Sequence, residues 1–349
     1  MDIPPDVQKQ LDEQKKQCVF CKIVGGEIAG KKVFDDDLTM AVLDINPAVK
    51  GHTLVMPKEH YPILPYIPRN VFLHVFGVLP NIVKAIKESL IVFGVNIFIA
   101  NGGVAGQQSP HFLFHIFPRE SGDGLEKFDF GPGKNLDSDK VSEGVKALSY
   151  AVPLLMRKFF SQNHESWHSG SGSTPEFLSV IRDSSDIVYE DERVLCVTPK
   201  NPFCAGHLIL YSKVVEKLFE NLDSDNSSHL FQVASIAASA CFEGLQAHGT
   251  NIVLKSGKCP DNPSELLSVH IIPRWQDDGI NLSWNPNKGL NDGDVSSIIR
   301  DKTFFIGTRE NVSVAPATPH RSTENVVKVS VTQKPDIEQI DDAVKRVRM

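Results

Sequence analysis

The chain repeats itself. At a constant offset of 155 residues, Asn46-Pro47 and Gly51-His52 return as Asn201-Pro202 and Gly206-His207. Further along, His115-Ile116 and Pro118-Arg119 return as His270-Ile271 and Pro273-Arg274, and Asp123-Gly124 returns as Asp278-Gly279. Gly94, Asn96 and Ile97 match Gly249, Asn251 and Ile252 in the same register. Chance identity does not hold one ungapped register over this distance, so the chain is a duplicated domain. Its 349 residues are enough for two domains.

The two copies read alike. Runs rich in Val, Phe and Leu predict strands over 32–34, 39–44 and 52–57. A helix is predicted over 71–89, where Val71, His74, Val75, Val78, Leu79, Ile82 and Ile86 recur near helical spacing. Pro80 is expected to kink or break it. Strands over 96–101 and 112–118 close the unit. In the second copy the main helix runs through HLFQVASIAASACFEGL, with Ser227 or Ser228 as its expected cap. Runs of strands with one main helix predict an α+β unit with an antiparallel sheet. The segments DGLEKFDFGPGKNLDSDKVSEGV and DGINLSWNPNKGLNDGDVSSII carry the repeat into a loop and a further helix. The expected organisation is a first domain at 1–160 with an N-terminal helix, a Ser/Gly-rich connector at 161–176, a second domain at 177–310 and an extension at 311–349. The extension ends in DIEQIDDAVKRV, which reads as a terminal helix.

Composition removes several function classes. With 36 Lys+Arg against 43 Asp+Glu, a net charge of −7 gives no general attraction to a phosphate backbone, so no nucleic-acid partner is expected. The most apolar stretch, 89–100, is far shorter than the roughly 20 residues that span a bilayer. The polar start, MDIPPDVQKQLDEQKKQ, lacks the apolar run of a signal peptide, and a cytoplasmic location is the expectation. Of six cysteines, Cys196, Cys204, Cys241 and Cys259 are scattered and read as small apolar fillers. Cys18 and Cys21 form a C-x-x-C pair.

Three features coincide in the first copy: that cysteine pair within CVFCKIVGGEIAGKKVFDDD, the segment LDINPAVKGHTLVMPKEH, and NGGVAGQ ahead of PHFLFHIFPR. Together they resemble the histidine triad (HIT) family of nucleotide hydrolases and transferases, strongly over 18–119 and more weakly over 177–274. The resemblance implies three histidines at alternate positions of one strand, on one face of the sheet, the middle one attacking the α-phosphate. Alternation does put such residues on a common face. Here positions 111, 113 and 115 are His111, Leu113 and His115, and the second copy has Leu266, Ser268 and His270. An isobutyl group neither attacks phosphorus nor moves a proton. Ser268 has no general base at an evident spacing and reads as a small polar filler.

The zinc-containing branches of the family imply one structural zinc in the first domain, held by Cys18, Cys21, His60 and His111, two thiolates and two imidazoles forming a closed set. Reduced thiols beside a surface histidine are the plain alternative. The second copy has Val215 in place of His60 and no cysteine pair, so it is expected to bind no metal. The resemblance further assigns nucleoside and phosphate contacts to Asp44, His52, Asn101, Gln107 and His115. Each of these also reads singly as a turn, cap or core residue. For His115 both roles stay open. The glycines of the Asn101–Gln107 stretch let backbone amides approach an anion. The corresponding Pro199, Ser256 and Asn262 place any binding in the first copy.

HIT proteins commonly pair as homodimers through the main helix and an adjacent strand. Two copies in one chain therefore imply a monomer that is its own pseudo-dimer. The expected function is a catalytically degenerate binder of a nucleotide or nucleotide-like small molecule. The alternative is an active nucleotidyl hydrolase or transferase, acting on nucleoside phosphoramidates or dinucleoside polyphosphates with a non-standard site.

Overall fold

The computed structural model describes residues 13–125, 128–133, 136–162, 172–290 and 293–310. Most of the expected connector, and all of the C-terminal extension with its helix, lie outside the described residues. The first copy comprises helix α1 (Val19–Val24), strands β1 (Lys32–Asp35), β2 (Thr39–Leu43) and β3 (Thr53–Pro57), helix α2 (Arg69–Leu90), strands β4 (Gly94–Asn101) and β5 (Phe114–Arg119), and helix α3 (Ser138–Gln162). The second comprises α4 (Glu176–Ser184), β6 (Asp186–Glu190), β7 (Val194–Thr198), β8 (Leu208–Ser212), α5 (Ser224–Leu245), β9 (Gly249–Gly257), β10 (Ser268–Arg274) and α6 (Val295–Glu310).

All ten strands form one antiparallel sheet in the order β1-β2-β3-β5-β4-β9-β10-β8-β7-β6. The order is the same read from either edge, with the two copies joined where β4 pairs with β9, from Gly94↔Gly257 to Asn101↔Thr250. Even the register break in the β1–β2 pair, at Lys32/Phe34, recurs in the second copy at Ile187/Tyr189. Each central strand is thereby spared an open edge. The two domains are α+β units arranged about a pseudo-two-fold axis.

Helices α2 and α5 lie side by side on one face of this sheet and enclose a single core. Phe76 stacks on Phe231, its own repeat mate, at 4.4 Å between ring centroids. Lys87 of α2 pairs with Glu220 of the second copy, both nearly buried. The helix α2 passes through Pro80 without the break that is one of its two expected effects. A proline there removes the N–H that would bond the carbonyl of Phe76. The hydroxyl of Ser227 donates to that carbonyl instead, at 2.6 Å, so the other copy supplies the missing bond. The cap of α5 is also one turn earlier than expected. Asp223 accepts from Asn226 N at 2.7 Å, which leaves Ser227 and Ser228 inside the helix.

The helices that follow the last strand of each copy cross over. Buried Leu148, Val152, Met156 and Phe160 form an every-fourth-residue stripe on α3, which packs on α5 and β6 of the second copy. Reciprocally, α6 packs on α2 and β1 of the first, and Thr303 Oγ1 donates to Val33 O at 3.4 Å. No helix among the described residues is long and apolar enough to cross a membrane.

Candidate functional site

Strand alternation sorts the residues around β5. Phe112, Phe114 and Ile116 enter the core beneath α2, which turns His111, Leu113 and His115 to the other face. The ladder begins only at Phe114, so His111 and Leu113 precede it. The three side chains then separate. Leu113 joins an apolar cluster of Met40, Val42, Leu54 and Met56, roofed by Phe20, Ile23 and Val24 of α1.

His111 turns to the cysteines. Cys18 at the N-cap of α1, Cys21 inside it, His60 after β3 and His111 place four donor atoms within 4.8 Å of one another, a group that could hold a metal. The separations are 3.3 Å for Cys21 Sγ to His60 Nδ1, 3.5 Å for Cys21 Sγ to His111 Nδ1 and 3.8 Å for Cys18 Sγ to His111 Nδ1. A tetrahedral ion with ordinary Zn–S and Zn–N bonds needs about 3.6 Å between such ligands. His111 Nε2–H donates to Pro57 O at 2.8 Å, which leaves its Nδ1 lone pair facing the thiols. Burial keeps both imidazoles neutral: the His111 value falls to about 4 and that of His60 also falls. Burial and the neighbouring Cys18 push Cys21 up to about 12, a cost that a bound cation would reverse.

His115 belongs to a separate relay. Ala48 N–H donates to His52 Nδ1 at 3.3 Å, so the proton of neutral His52 is on Nε2. That proton points at His115 Nδ1, 3.0 Å away, so His115 carries its own proton on Nε2, as a donor. Asp44 Oδ2 is 3.5 Å from His52 Nδ1, and Asp44 Oδ1 accepts from Asn46 N at 2.8 Å. Asp44, His52 and His115 also bring three donor atoms within 4.8 Å. The two nitrogens of His52 are engaged at opposite ends of its ring, so the three lone pairs do not converge on one ion.

The second copy keeps the relay and closes it. Phe203 N–H donates to His207 Nδ1 at 3.1 Å, and His207 Nε2 lies 3.0 Å from His270 Nδ1. His270 Nε2–H then meets Ser268 Oγ at 3.3 Å. In this tautomer His270 gives its proton to the hydroxyl and cannot withdraw one, so Ser268 is not activated.

Asn101 and Gln107 serve their own loop. Asn101 Oδ1 accepts from Leu64 N at 3.2 Å. Gln107 Nε2 donates to Pro62 O at 2.6 Å and Ser109 O at 2.8 Å, while its Oε1 accepts from Gly102 N at 3.0 Å. The amides of Ala105, Gly106 and Gln107 also bond within the loop, so most donors expected to face an anion are spent on its shape. Gly102 at φ +102° and Gly106 at φ +90° are the positions where that shape requires glycine.

Each relay is covered by an aromatic residue of the other copy. Trp284 meets His115 edge-on at 4.8 Å and Phe117 at 4.9 Å. The same segment bonds the first copy through Asn287 N–H to Pro47 O at 2.8 Å. Phe130 lies 5.1 Å from His270, with Lys255 Nζ 4.7 Å from its ring centroid. Sequence reasoning missed both residues. The repeated tails DGLEKFDF and DGINLSW held them in view, but nothing local says that the tails exchange places.

The four relay histidines predict a pH response. Burial holds His115 and His207 at about 3, and His52 and His270 well below their ordinary value. The unfolded chain binds protons at these sites below about pH 6.5 while the folded chain does not, so stability is full above that pH and falls with acidification. Each site contributes a slope of up to about 1.4 kcal/mol per pH unit. Urea unfolding measured from pH 8 to 5 should show a plateau and then a decline; equal stability at pH 7 and 5 would count against the neutral relay.

Residues 25–122 and 182–277 each match the HIT domain. The chain belongs to the HIT family. It is 44% identical over 135 residues to an uncharacterized HIT-like protein of Methanocaldococcus jannaschii, covering 37% of this chain and 98% of that one. It is 34% identical over 136 residues to the adenosine 5'-monophosphoramidase hnt1 of Schizosaccharomyces pombe, covering 39% of this chain and 95% of that one. A crystal structure of a GalT-like protein from Arabidopsis thaliana shares the fold across both HIT domains, with a TM-score of 0.50, 14% identity and coverage of 81% of this chain and 91% of that one. The first two relatives each correspond to about one HIT domain of this chain, whereas the GalT-like protein spans both.

Proposed function

We propose that the first HIT domain binds a nucleotide or nucleotide-like small molecule, holds one structural zinc through Cys18, Cys21, His60 and His111, and performs no covalent nucleotidyl transfer. The placement of Leu113 carries this reading. Its side chain is committed to an apolar cluster, at the position where the family resemblance implies the nucleophile. Neither neighbour substitutes for it. His111 has both ring nitrogens engaged, one with Pro57 O and one toward the thiols. His115 is about 6–7 Å further along the strand, and its Nδ1 accepts from His52. What His115 retains is Nε2–H, a neutral donor suited to a phosphate oxygen. Asp44, beside the exposed Ile45, would face the sugar and base. The zinc would fix α1 over the sheet and take no part in chemistry. The joined sheet supports a monomer whose two domains replace the two subunits of a family dimer.

Titration calorimetry with adenosine monophosphate tests the binding; absence of heat and of any thermal stabilisation at millimolar ligand would overturn it. A nucleotidyl adduct needs an in-line nucleophile, and proximity supplies roughly 7–11 kcal/mol of barrier lowering when geometry is right. The unmodified protein should therefore show no turnover of adenosine phosphoramidate and no adduct by intact mass. Leu113→His should introduce weak turnover and a trappable adduct, at a folding cost of about 1–3 kcal/mol for a polar ring among apolar neighbours. Hydrolysis by the unmodified protein that disappears in His115→Ala would instead establish an active enzyme with a non-standard site.

A further inference from the structure

One arginine–asparagine–aspartate set at the seam repeats in both copies, but its bonds differ between them. Arg119, Asn96 and Asp123 form one buried network, and their repeat mates Arg274, Asn251 and Asp278 form another. In each, the asparagine oxygen accepts from the arginine. The asparagine nitrogens differ. Asn251 Nδ2 donates across the seam to Ala105 O at 2.8 Å, with both residues buried. Asn96 Nδ2 is buried and has no hydrogen-bond partner among the described residues. The first copy's loop is therefore held from outside by an asparagine amide, whereas the second copy's loop is reached instead by Arg119, which donates to Asp261 Oδ1 at 2.9 Å.

Two further contacts also tie β9 to the first copy's loop. Thr250 Oγ1 accepts from Asn101 Nδ2 at 3.4 Å. A Cβ on Gly249 would sit 3.0 Å from Asn101 O and 3.2 Å from Ala105 N, so the second copy's strand and the first copy's loop are packed without slack. Ala105 shares an apolar cluster with Phe98 and Phe117. Those two rings flank His115, at 6.1 and 5.9 Å between centroids. A chain of contacts thus runs from Asp278 through Arg274, Asn251 and Ala105 to the rings around His115.

We propose that Asn251 is a positioning residue: the second HIT domain, through this one amide, sets the shape of the Gly102–Gln107 loop and with it ligand affinity in the first. The affinity part rests on the nucleotide-binding reading above; the loop part does not. Asn251→Asp and Asn96→Asp separate the two, because each carboxylate keeps its arginine while only the first places an oxygen against Ala105 O. In the full-length, ligand-free protein, amide exchange over residues 102–107 should quicken roughly tenfold in Asn251→Asp, the size expected for a lost buried hydrogen bond, with β7 unchanged. Asn96→Asp should leave the loop at the unmodified rate. Adenosine monophosphate should bind Asn251→Asp roughly tenfold more weakly and Asn96→Asp normally. Unchanged loop exchange in Asn251→Asp, or equal acceleration in both variants, would overturn the proposal. Selective acceleration in a protein that binds no nucleotide would uphold the brace and remove the binding reading instead.

Discussion

Expressed as separate polypeptides, residues 1–162 and 172–349 should each fail to fold as monomers, and mixing them should restore structure. Four contacts are lost at once on separation. The β4 strand, almost wholly buried along its length, becomes an open edge once β9 is removed. The face of α2 that carries Phe76 loses Phe231, and the carbonyl left bare by Pro80 loses Ser227. The exchanged helices are the decisive loss. The first fragment would keep α3, whose buried stripe of Leu148, Val152, Met156 and Phe160 has its partners on the second copy, and would lack α6, which covers its own α2 and β1. These losses are comparable to the whole stability of a domain, about 5–15 kcal/mol. Circular dichroism and sedimentation of each fragment, alone and mixed, provide the check. A fragment that unfolds cooperatively as a monomer would refute the exchange as a requirement for folding.

The second large effect concerns the metal. Cys18→Ser should release the zinc, lower stability on the order of several kcal/mol and free α1 from the sheet. A six-residue helix is far below the length that holds together in water, and none of the residues of α1 is itself buried. Besides the partial packing of Phe20, Ile23 and Val24, its anchors are the buried Cys18 and the contacts of Cys21 with two histidines. Elemental analysis should give one zinc per chain in the unmodified protein and none in Cys18→Ser. Exchange over residues 19–24 should rise while the β4–β9 seam stays protected. Metal content indistinguishable between the two proteins would exclude this ligand set. Loss of Cys18 should also loosen the roof above Leu113, so Leu113→His is best examined with the cysteines intact.

The repeat was enough to read two α+β copies, because strand and helix periodicities are local and survive in any context. The family resemblance carried the metal group: Cys18, Cys21, His60 and His111 are recognisable as residue types in register, and folding brings them within 4.8 Å. Other features were decided only by tertiary structure. Pro80 should kink or break a helix, and α2 stays continuous where Ser227, 151 positions beyond Phe76 in the chain, donates to the Phe76 carbonyl that the proline leaves bare. That Gln107 shapes its own loop, through bonds to Pro62, Ser109 and Gly102, was likewise not legible in the sequence. The exchange of α3 and α6, and the placing of Trp284 over His115, have no local signature. A tail packed on its own copy and one packed on its neighbour bury the same apolar faces and show the same spacing. The choice rests on which partner surface lies within reach once β4 has paired with β9, a property of the assembled sheet and not of any segment.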